Sequence, residues 1–371
     1  TENKLKVRFR VDGVLHTSLI LSSKIHSAVI ARIKILSDLQ IDETRIPQDG
    51  RFSTKIGGRT IDFRVSTFPT TLGEKAAIRV LDPSTRKEEF SELGLSGRNL
   101  ETIKKSSKET DGLILASGPT GSGKSTTLYA ILELLNKEEV NIVTVEDPVE
   151  YSVEGVNQSQ INPDIGYSFP RALRHILRQD PDIIMVGEIR DKETADLVTH
   201  AALTGHIVLS TIHTTGALGI IPRLIDMGVD PFLIPATLRI GAAQRLVRQL
   251  CDNCKKKVKA NEEQEEFIRE QVGKMPSEIQ QEADLGEELY IYEPQGCRKC
   301  NFDGYSGRIG VFEILEMTED LGQVISEDVT EAKISEQAKK QQMITMEQDG
   351  ILKVLNGITS LEEVFRVVAE K

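Results

Sequence analysis

The spacing of hydrophobic positions changes along the chain and divides it into segments with different predicted structures. Over residues 1–82, short alternating runs predict strands around a single helix, the pattern of a small α+β domain. Over residues 93–245, continuous apolar runs alternate with helical stretches, which is typical of a buried parallel sheet with helices on both faces. These apolar runs cover residues 112–116, 141–145, 183–186 and 207–210.

The first segment contains one predicted helix and several strand candidates. We expect Ser22 or Ser23 to cap a helix that continues to about Leu36. One face of this helix collects apolar residues, namely Ile25, Val29, Ile33 and Leu36. Three strands are predicted at residues 51–56, 60–66 and 76–81, and Gly57-Gly58 suits a two-residue hairpin turn.

The other segments are defined by polarity and by cysteines. Residues 83–92 are polar and predict a linker. Residues 246–312 hold four cysteines around a charged insert, and residues 313–371 predict short helices with apolar faces. We therefore expect five parts: a small domain, a linker, an α/β core, a cysteine module and a helical extension.

Composition narrows the class of protein. The chain has 371 residues, 39% of them hydrophobic and 28% charged, as in soluble globular proteins. Its net charge of −11 argues against non-specific binding to nucleic acid or anionic lipid. No apolar run approaches the ~20 residues that cross a bilayer, and the start lacks a signal-peptide pattern. Because the chain begins at Thr1 rather than at a methionine, we expect that a segment precedes it.

A glycine-rich segment after the first apolar run of the core fits the phosphate-binding loop pattern GxxxxGK[ST] in full. A helical stretch follows it, so glycine N–H groups and a helix N-terminus would surround phosphate oxygens. We expect Lys124 to reach the β and γ phosphates of ATP, and the Ser125 hydroxyl to bind Mg²⁺. The predicted nucleotide-binding residues are Gly118, Pro119, Thr120, Gly121, Ser122, Gly123, Lys124, Ser125 and Thr126.

Two acidic segments follow apolar runs downstream of this loop. The first begins at Glu146, and the second contains Glu188 directly after Gly187. Carboxylates at the carboxyl ends of parallel strands face the crevice where ligands bind. Both are candidate catalytic residues, because nucleotide hydrolysis needs carboxylates that hold the metal and polarise water. We favour Glu146 over Glu188 for polarising the water and expect Glu188 to act on Mg²⁺ or its waters.

His213 and several arginines are further candidates. His213 follows the run 207–210 near the expected γ-phosphate, which it would sense. Arg64 and Arg79 lie on predicted strands of the first domain, from which an arginine reaches a phosphate bound to a neighbouring subunit. From the residues alone, an ordinary surface ion pair is the better explanation of any single arginine.

The four cysteines form two Cys-x-x-Cys pairs, Cys251/Cys254 and Cys297/Cys300. Two such pairs favour a structural Zn²⁺ site with four thiolate ligands over a redox pair. The segment between the pairs exceeds the ~15–20 residues of compact zinc ribbons, so it must form a separate excursion. A nucleic-acid-binding ribbon fits the acidic composition poorly.

Together the motifs resemble the ATPases of type II secretion and type IV pilus assembly. The segments 118–125, 146–151, 180–191 and 203–213 resemble their Walker A, Asp box, Walker B and His box. Residues 45–51 and 62–67 resemble the second N-terminal domain of that family, and the cysteine pairs resemble the zinc module of its pilus-extension and secretion branch. Retraction ATPases generally lack that module. One departure is Thr215-Gly216, where the family usually has Asn-Asp or Asn-Ser.

The resemblance implies a homo-hexamer of RecA-like P-loop domains with a small α+β, PAS-like N-terminal domain, a zinc insert and a helical C-terminal extension. It implies that Arg64 and Arg79 meet the phosphates. It further connects four arginines with subunit contacts or the site: Arg174, Arg178, Arg190 and Arg223. The expected partners are an inner-membrane platform protein and a cytoplasmic adaptor, which places the motor in the cytoplasm, peripheral to the inner membrane. Membrane contact is expected only through partners, and no nucleic acid is expected. The family's first N-terminal domain has no counterpart in this sequence.

Three other readings of the sequence remain open. A small-molecule kinase needs an acceptor site, which the sequence does not offer. A zinc-ribbon module with a degenerate nucleotide site would bind nucleotide without turnover. A DNA-uptake or conjugation ATPase of the same superfamily differs in its partners more than in its chemistry.

Overall fold

A computed structural model describes residues 4–82, 89–283 and 285–368. The chain divides into two compact units, Thr1–Arg86 and Lys87–Lys371. Most of the predicted linker, residues 83–88, lies outside the described residues. The helix Phe90–Leu93 begins within the remainder of the predicted linker.

The first unit contains a two-stranded ribbon, one helix and a three-stranded sheet. Its elements are β1 (Lys4–Val11), β2 (Val14–Ser22), α1 (His26–Leu36), β3 (Gln48–Ile56), β4 (Arg59–Thr70) and β5 (Gly73–Leu81). The ribbon is β1-β2, and the sheet has the order β3-β4-β5 with antiparallel pairing throughout. Gly57 and Gly58 form the turn between β3 and β4 with φ angles of 57° and 81°, as a two-residue hairpin turn requires.

Helix α1 buries the predicted apolar face only in part, since two of its four predicted residues, Val29 and Ile33, are half-buried. Ile30 and Lys34 are buried, whereas Ile25 and Leu36 are 42% and 43% exposed. Lys34 is tolerated inside because its Nζ lies 2.6 Å from a carboxylate oxygen of Glu74 and donates to a backbone carbonyl. A lysine at the centre of the buried face cannot be recognised from the pattern of apolar positions.

The second unit is organised around a seven-stranded sheet. The strands of this unit are β6 (Gly112–Ser117), β7 (Ile142–Glu146), β8 (Val156–Gln160), β9 (Ile183–Val186), β10 (Ile207–Ile212), β11 (Leu238–Leu250), β12 (Lys256–Lys259), β13 (Tyr290–Glu293) and β14 (Tyr305–Glu316). The large sheet has the order β14-β11-β6-β10-β9-β7-β8, and β12-β13 is a separate ribbon. Neighbours in the large sheet are parallel, except that β14 is antiparallel to β11. The α/β prediction is confirmed, and an antiparallel edge strand is added to it.

Helices cover both faces of the large sheet. The helices of the second unit are α2 (Phe90–Leu93), α3 (Gly97–Ser106), α4 (Lys124–Leu135), α5 (Phe169–Ile176), α6 (Lys192–Leu203), α7 (Ile220–Asp226), α8 (Ile234–Thr237), α9 (Glu262–Gly273), α10 (Ser277–Glu282), α11 (Glu319–Glu327), α12 (Glu331–Lys340), α13 (Met346–Leu355) and α14 (Leu361–Val368). Leu113 and Leu115 of β6 pack in a core with α5, α6 and α7, whereas Ile114 and Ala116 pack in a second core with α3 and α4. This alternation explains why the central strands are mostly apolar on both faces.

Strands β11 and β14 cross the predicted domain boundaries at 245/246 and 312/313. The predicted boundaries follow the change of composition around the cysteines. The backbone pairing of β11 with β14 continues across both boundaries. The segment between the cysteine pairs forms the expected excursion, made of β12, α9, α10 and β13. Its core packs with α13 and α14. In the described part of the chain, no helix combines the length and the apolarity needed to cross a membrane.

Candidate nucleotide site and tetracysteine cluster

The glycine-rich loop connects β6 to α4 in the geometry of a phosphate-binding loop. Gly118 has a φ of 141°, and a side-chain Cβ there would lie 2.6 Å from the backbone oxygen of Gln244. Glycine is therefore required at this position. Helix α4 begins at Lys124, so the free N–H groups of its first turn line the loop, where an anion is stabilised.

Lys124 lies folded over the loop. Its Nζ donates to the carbonyl oxygens of Gly118 at 2.8 Å and Pro119 at 3.1 Å. Burial lowers the pKa of Lys124, and the nearby carboxylate of Glu188 opposes this shift. The other loop residues differ in exposure: Thr120, Gly121 and Ser125 are exposed, Gly123 and Thr126 are half-buried, and Ser122 is buried. The exposed hydroxyl of Ser125 is available to a metal ion, so the loop residues fit Mg²⁺-ATP.

Glu188 and His213 come together at the carboxyl ends of neighbouring strands. Glu188 follows β9 and His213 follows β10, and a carboxylate oxygen lies 3.4 Å from Nε2 of His213. The other carboxylate oxygen lies 2.6 Å from the guanidinium of Arg190, and this hydrogen bond raises the pKa of Arg190. A carboxylate, a histidine and an arginine thus share the edge of the sheet where a ligand is expected.

Glu146 is placed differently, because its carboxylate is buried behind the end of β7. The residue is only 4% exposed. One oxygen accepts a hydrogen bond from the Tyr129 hydroxyl, and the other accepts from Thr144 at 2.6 Å and from the Gln158 amide at 3.3 Å. Burial and the bond to Glu146 raise the pKa of Tyr129, so this hydroxyl remains protonated.

Tyr129 and Gln158 were missed by sequence reasoning. Tyr129 lies among the apolar residues of α4 and therefore has the pattern of a core residue. Gln158 lies on the edge strand β8. Only the register β7-β8 brings its side chain next to Glu146.

Three arginines of the first unit lie side by side across one face of the three-stranded sheet. Arg64 of β4 is the direct cross-strand partner of Arg79 in β5 and of Arg51 in β3. Like charges opposite each other destabilise a sheet unless another group compensates them. Sequence reasoning missed Arg51, because its place in the row depends on strand register.

The four arginines predicted near subunit contacts are all exposed: Arg174, Arg178, Arg190 and Arg223. Arg174 pairs with Glu193, and Arg178 lies 2.7 Å from Nδ1 of His175. Only Arg190 is joined directly to the Glu188 cluster. Their contact role stays a prediction.

The four cysteines converge although they come from distant parts of the chain. Their Sγ atoms all lie within 4.8 Å of one another, and three of the separations are 3.8 or 3.9 Å. A tetrahedral ion with bonds of ~2.3 Å requires sulfurs about 3.8 Å apart, so the cluster fits Zn²⁺. Hydrogen bonds from the Asn253 side chain and the Cys300 backbone lower the pKa of Cys297 to about 6, whereas burial raises that of Cys254 to about 12. The four sulfurs could therefore hold one metal ion among them.

Comparison with known proteins identifies the architecture. The family model described as "Type II/IV secretion system protein" matches residues 1–366. The chain belongs to this family. It is 45% identical over 369 residues to the type II secretion system ATPase E of Vibrio cholerae, a match that covers all of this chain and 71% of that protein. It is also 43% identical over 364 residues to the type IV pilus assembly ATPase PilB of Myxococcus xanthus, covering 98% of this chain and 62% of that protein.

Solved structures agree with this assignment. The pilus retraction motor PilT with bound ADP is 25% identical, with a TM-score of 0.64 over all of this chain and 94% of that one. The DotB ATPase of Legionella pneumophila shares the fold at 20% identity, with a TM-score of 0.66 over all of this chain and 92% of that one. The member of the secretion ATPase family described here is therefore an ATP hydrolase, as the phosphate loop and the adjoining acidic cluster predict.

Proposed function

We propose that this secretion ATPase is one subunit of a hexameric, Mg²⁺-dependent motor that drives assembly of a type IV pilus or a type II secretion pseudopilus. The observation that carries the proposal is a complete phosphate loop together with the Glu188–His213 cluster. The whole chain also aligns with the Vibrio cholerae secretion ATPase. The motor would work in the cytoplasm at the inner membrane, acting through a platform protein and a cytoplasmic adaptor.

The chemistry is assigned from burial and contact. Lys124 exchanges the loop carbonyls for the β and γ phosphates, and Ser125 holds Mg²⁺. When bound there, Mg²⁺ would supply positive charge next to the phosphates. Glu188 acts on the metal or its waters, which its place after β9, at the carboxyl edge of the sheet, supports. His213, next to Glu188, senses the γ-phosphate.

Glu146 is assigned a positioning role, in place of the water-polarising role favoured from sequence. Its carboxylate is buried and accepts three side-chain hydrogen bonds, from Tyr129, Thr144 and Gln158. These bonds support a role in holding α4 and β8 against β7, whereas a residue that polarises water must reach the solvent-side crevice.

The arginine row is assigned to the phosphates of ATP bound to another copy of the chain. An arginine supplied by a neighbouring subunit commonly stabilises charge in the transition state of phosphoryl transfer. The cross-strand placement of Arg64 and Arg79 supports this role, because it puts two guanidinium-bearing residues side by side on one face of the sheet. The tetracysteine cluster is assigned a structural Zn²⁺, because all four ligands come from protein and leave no open position.

The test is specific ATPase activity with Mg²⁺ as a function of protein concentration. If each site is shared between subunits, turnover per subunit rises steeply with concentration, and a mass measurement shows ring formation over the same range. The Lys124→Ala variant should lose hydrolysis, and near-normal turnover in it would contradict the phosphate-loop assignment. Nucleotide binding without turnover, in rings of the expected mass, would support a nucleotide-binding scaffold in place of the motor.

A further inference from the structure

Strand β11 lies directly beside the phosphate-loop strand β6. The two strands are parallel, and Ala243 is the register partner of Ser117, the last residue of β6. The next two residues, Gln244 and Arg245, therefore stand level with the beginning of the phosphate loop. Sequence reasoning assigned no role to either residue.

Gln244 packs against the phosphate loop at three of its residues. Its Nε2 donates a hydrogen bond of 2.7 Å to the carbonyl oxygen of Ser122. Its backbone oxygen lies against Gly118, and its Nε2 would be 3.0 Å from a Cβ at Gly123. The loop therefore rests directly on this side chain.

The burial of Gln244 points to a specific function. The residue is 1% exposed, and its Oε1 is buried without a hydrogen-bond partner in the part of the chain that the structure describes. An unpaired buried carbonyl is costly, so an apolar residue of the same size would suit packing alone better. The amide is useful here because it can donate to the loop.

Arg245 connects strand β11 to a second loop. One guanidinium nitrogen donates to the carbonyl oxygen of Thr215 at 2.7 Å, and another donates to the Gln244 carbonyl at 3.1 Å. Thr215 lies two residues after His213, where the sequence departs from the family pattern. Gly216 follows, and a Cβ there would lie 2.7 Å from a carboxylate oxygen of Glu313, which would have to shift.

We propose that Gln244 and Arg245 are positioning residues of the nucleotide site. Gln244 fixes the phosphate loop in its binding shape, and Arg245 couples that loop to the segment that carries His213. The inference rests on the proposed function, since it concerns the same site. It predicts that the two residues affect different steps: Gln244 affects nucleotide binding, and Arg245 affects turnover.

The test compares Gln244→Leu and Arg245→Lys with the wild type as assembled rings. We expect Gln244→Leu to weaken binding of a fluorescent ATP analogue about tenfold, the effect of one lost buried hydrogen bond. The rise in Tm caused by Mg²⁺-ATP should shrink accordingly. Arg245→Lys keeps the charge but loses the forked pair of bonds. Its kcat should fall at least about fivefold with less than a twofold change in binding, because a weakened hydrogen bond from a charged guanidinium contributes at least about that factor.

Gln249→Leu is the matched control, since it makes the same change on the same strand away from the phosphate loop. It should bind and hydrolyse ATP like the wild type. Wild-type affinity and an unchanged Tm response in Gln244→Leu would overturn the role of Gln244. Unchanged kcat in Arg245→Lys would overturn that of Arg245.

Two further measurements keep the outcomes distinct. If Gln244→Leu does not fold, Gln244→Asn is used in its place, because it keeps the amide but is too short to reach Ser122. Wild-type binding of the ATP analogue by Gln244→Asn would overturn the proposal. Failure of the proposed function is recognised separately, because the wild type would then lack Mg²⁺-dependent turnover. Wild-type turnover together with wild-type behaviour of both variants would reject this inference alone.

Discussion

At the scale of single residues, Glu146 and Glu188 look equivalent in the sequence but are not equivalent in the fold. Both follow apolar strands downstream of the phosphate loop, and this placement correctly predicted that both lie at the ends of core strands. The difference depends on which neighbours surround each carboxylate. Glu146 is enclosed by Tyr129, Thr144 and Gln158, whereas Glu188 contacts Arg190 and His213. Two of the residues that bury Glu146 carry no sequence signal of their role, so its depth was not predictable.

Glutamine variants of the two glutamates distinguish their roles. Glu188→Gln should lower kcat by about 100-fold or more while ATP still binds, because a preorganised charge at the phosphates is lost. Glu146→Gln should retain more than about a tenth of wild-type kcat, and its main effect should be a loss of about 1–3 kcal/mol in unfolding free energy. Steady-state kinetics and thermal unfolding on the same preparations measure both effects. An inactive but stable Glu146→Gln protein would restore Glu146 as the residue that polarises water.

At the scale of elements, the strands buried on both faces were predictable and the edge of the sheet was not. Four core strands are buried along their whole length and mostly apolar, so their sequences indicate burial without any tertiary information. Strand β11 mixes arginines with apolar residues, and its partner β14 lies beyond the cysteine module. Pairing between strands so far apart in the chain is determined by tertiary structure. The sequence therefore predicts a boundary near residue 245, which lies inside the continuous strand β11. The cysteine spacing, by contrast, correctly predicted a separate excursion.

The cysteine module supplies a prediction at this scale. Cys254→Ser removes one of four sulfurs and should reduce bound zinc well below one equivalent per chain. Because the cluster joins β11 to β14 and the excursion, Tm should fall by about 5 °C or more, at about 2–4 °C per kcal/mol for a unit of this size. Metal analysis and thermal unfolding measure the two effects. Asp252→Asn, an exposed change between the same cysteines, should leave both unchanged. Full zinc content and an unchanged Tm in Cys254→Ser would contradict the structural zinc site.

At the scale of the whole molecule, charge is distributed unevenly between the two units. Residues 1–86 contain 15 Lys and Arg against 9 Asp and Glu, whereas residues 87–371 contain 31 against 48. The first unit is therefore basic although the chain as a whole is acidic. Units of opposite charge attract each other between copies, and such attraction weakens as salt is added. This distribution, together with the arginine row on the basic unit, favours sites completed by a second copy.

Mixing two inactive variants tests whether the sites are shared. Lys124→Ala lacks the phosphate-loop lysine, and Arg64→Ala lacks an arginine of the first unit, so each should be nearly inactive alone. If the arginine comes from a neighbouring copy, about a quarter of the sites in an equimolar mixed ring contain both intact residues. Mixed rings, purified through a tag on each variant, should therefore regain up to about a quarter of wild-type turnover. A chain carrying both substitutions cannot complete a site with either variant, so rings mixed with it should stay inactive. Absence of recovery in mixed rings of confirmed composition would place Arg64 outside the shared site, because a residue acting in trans must be able to complement.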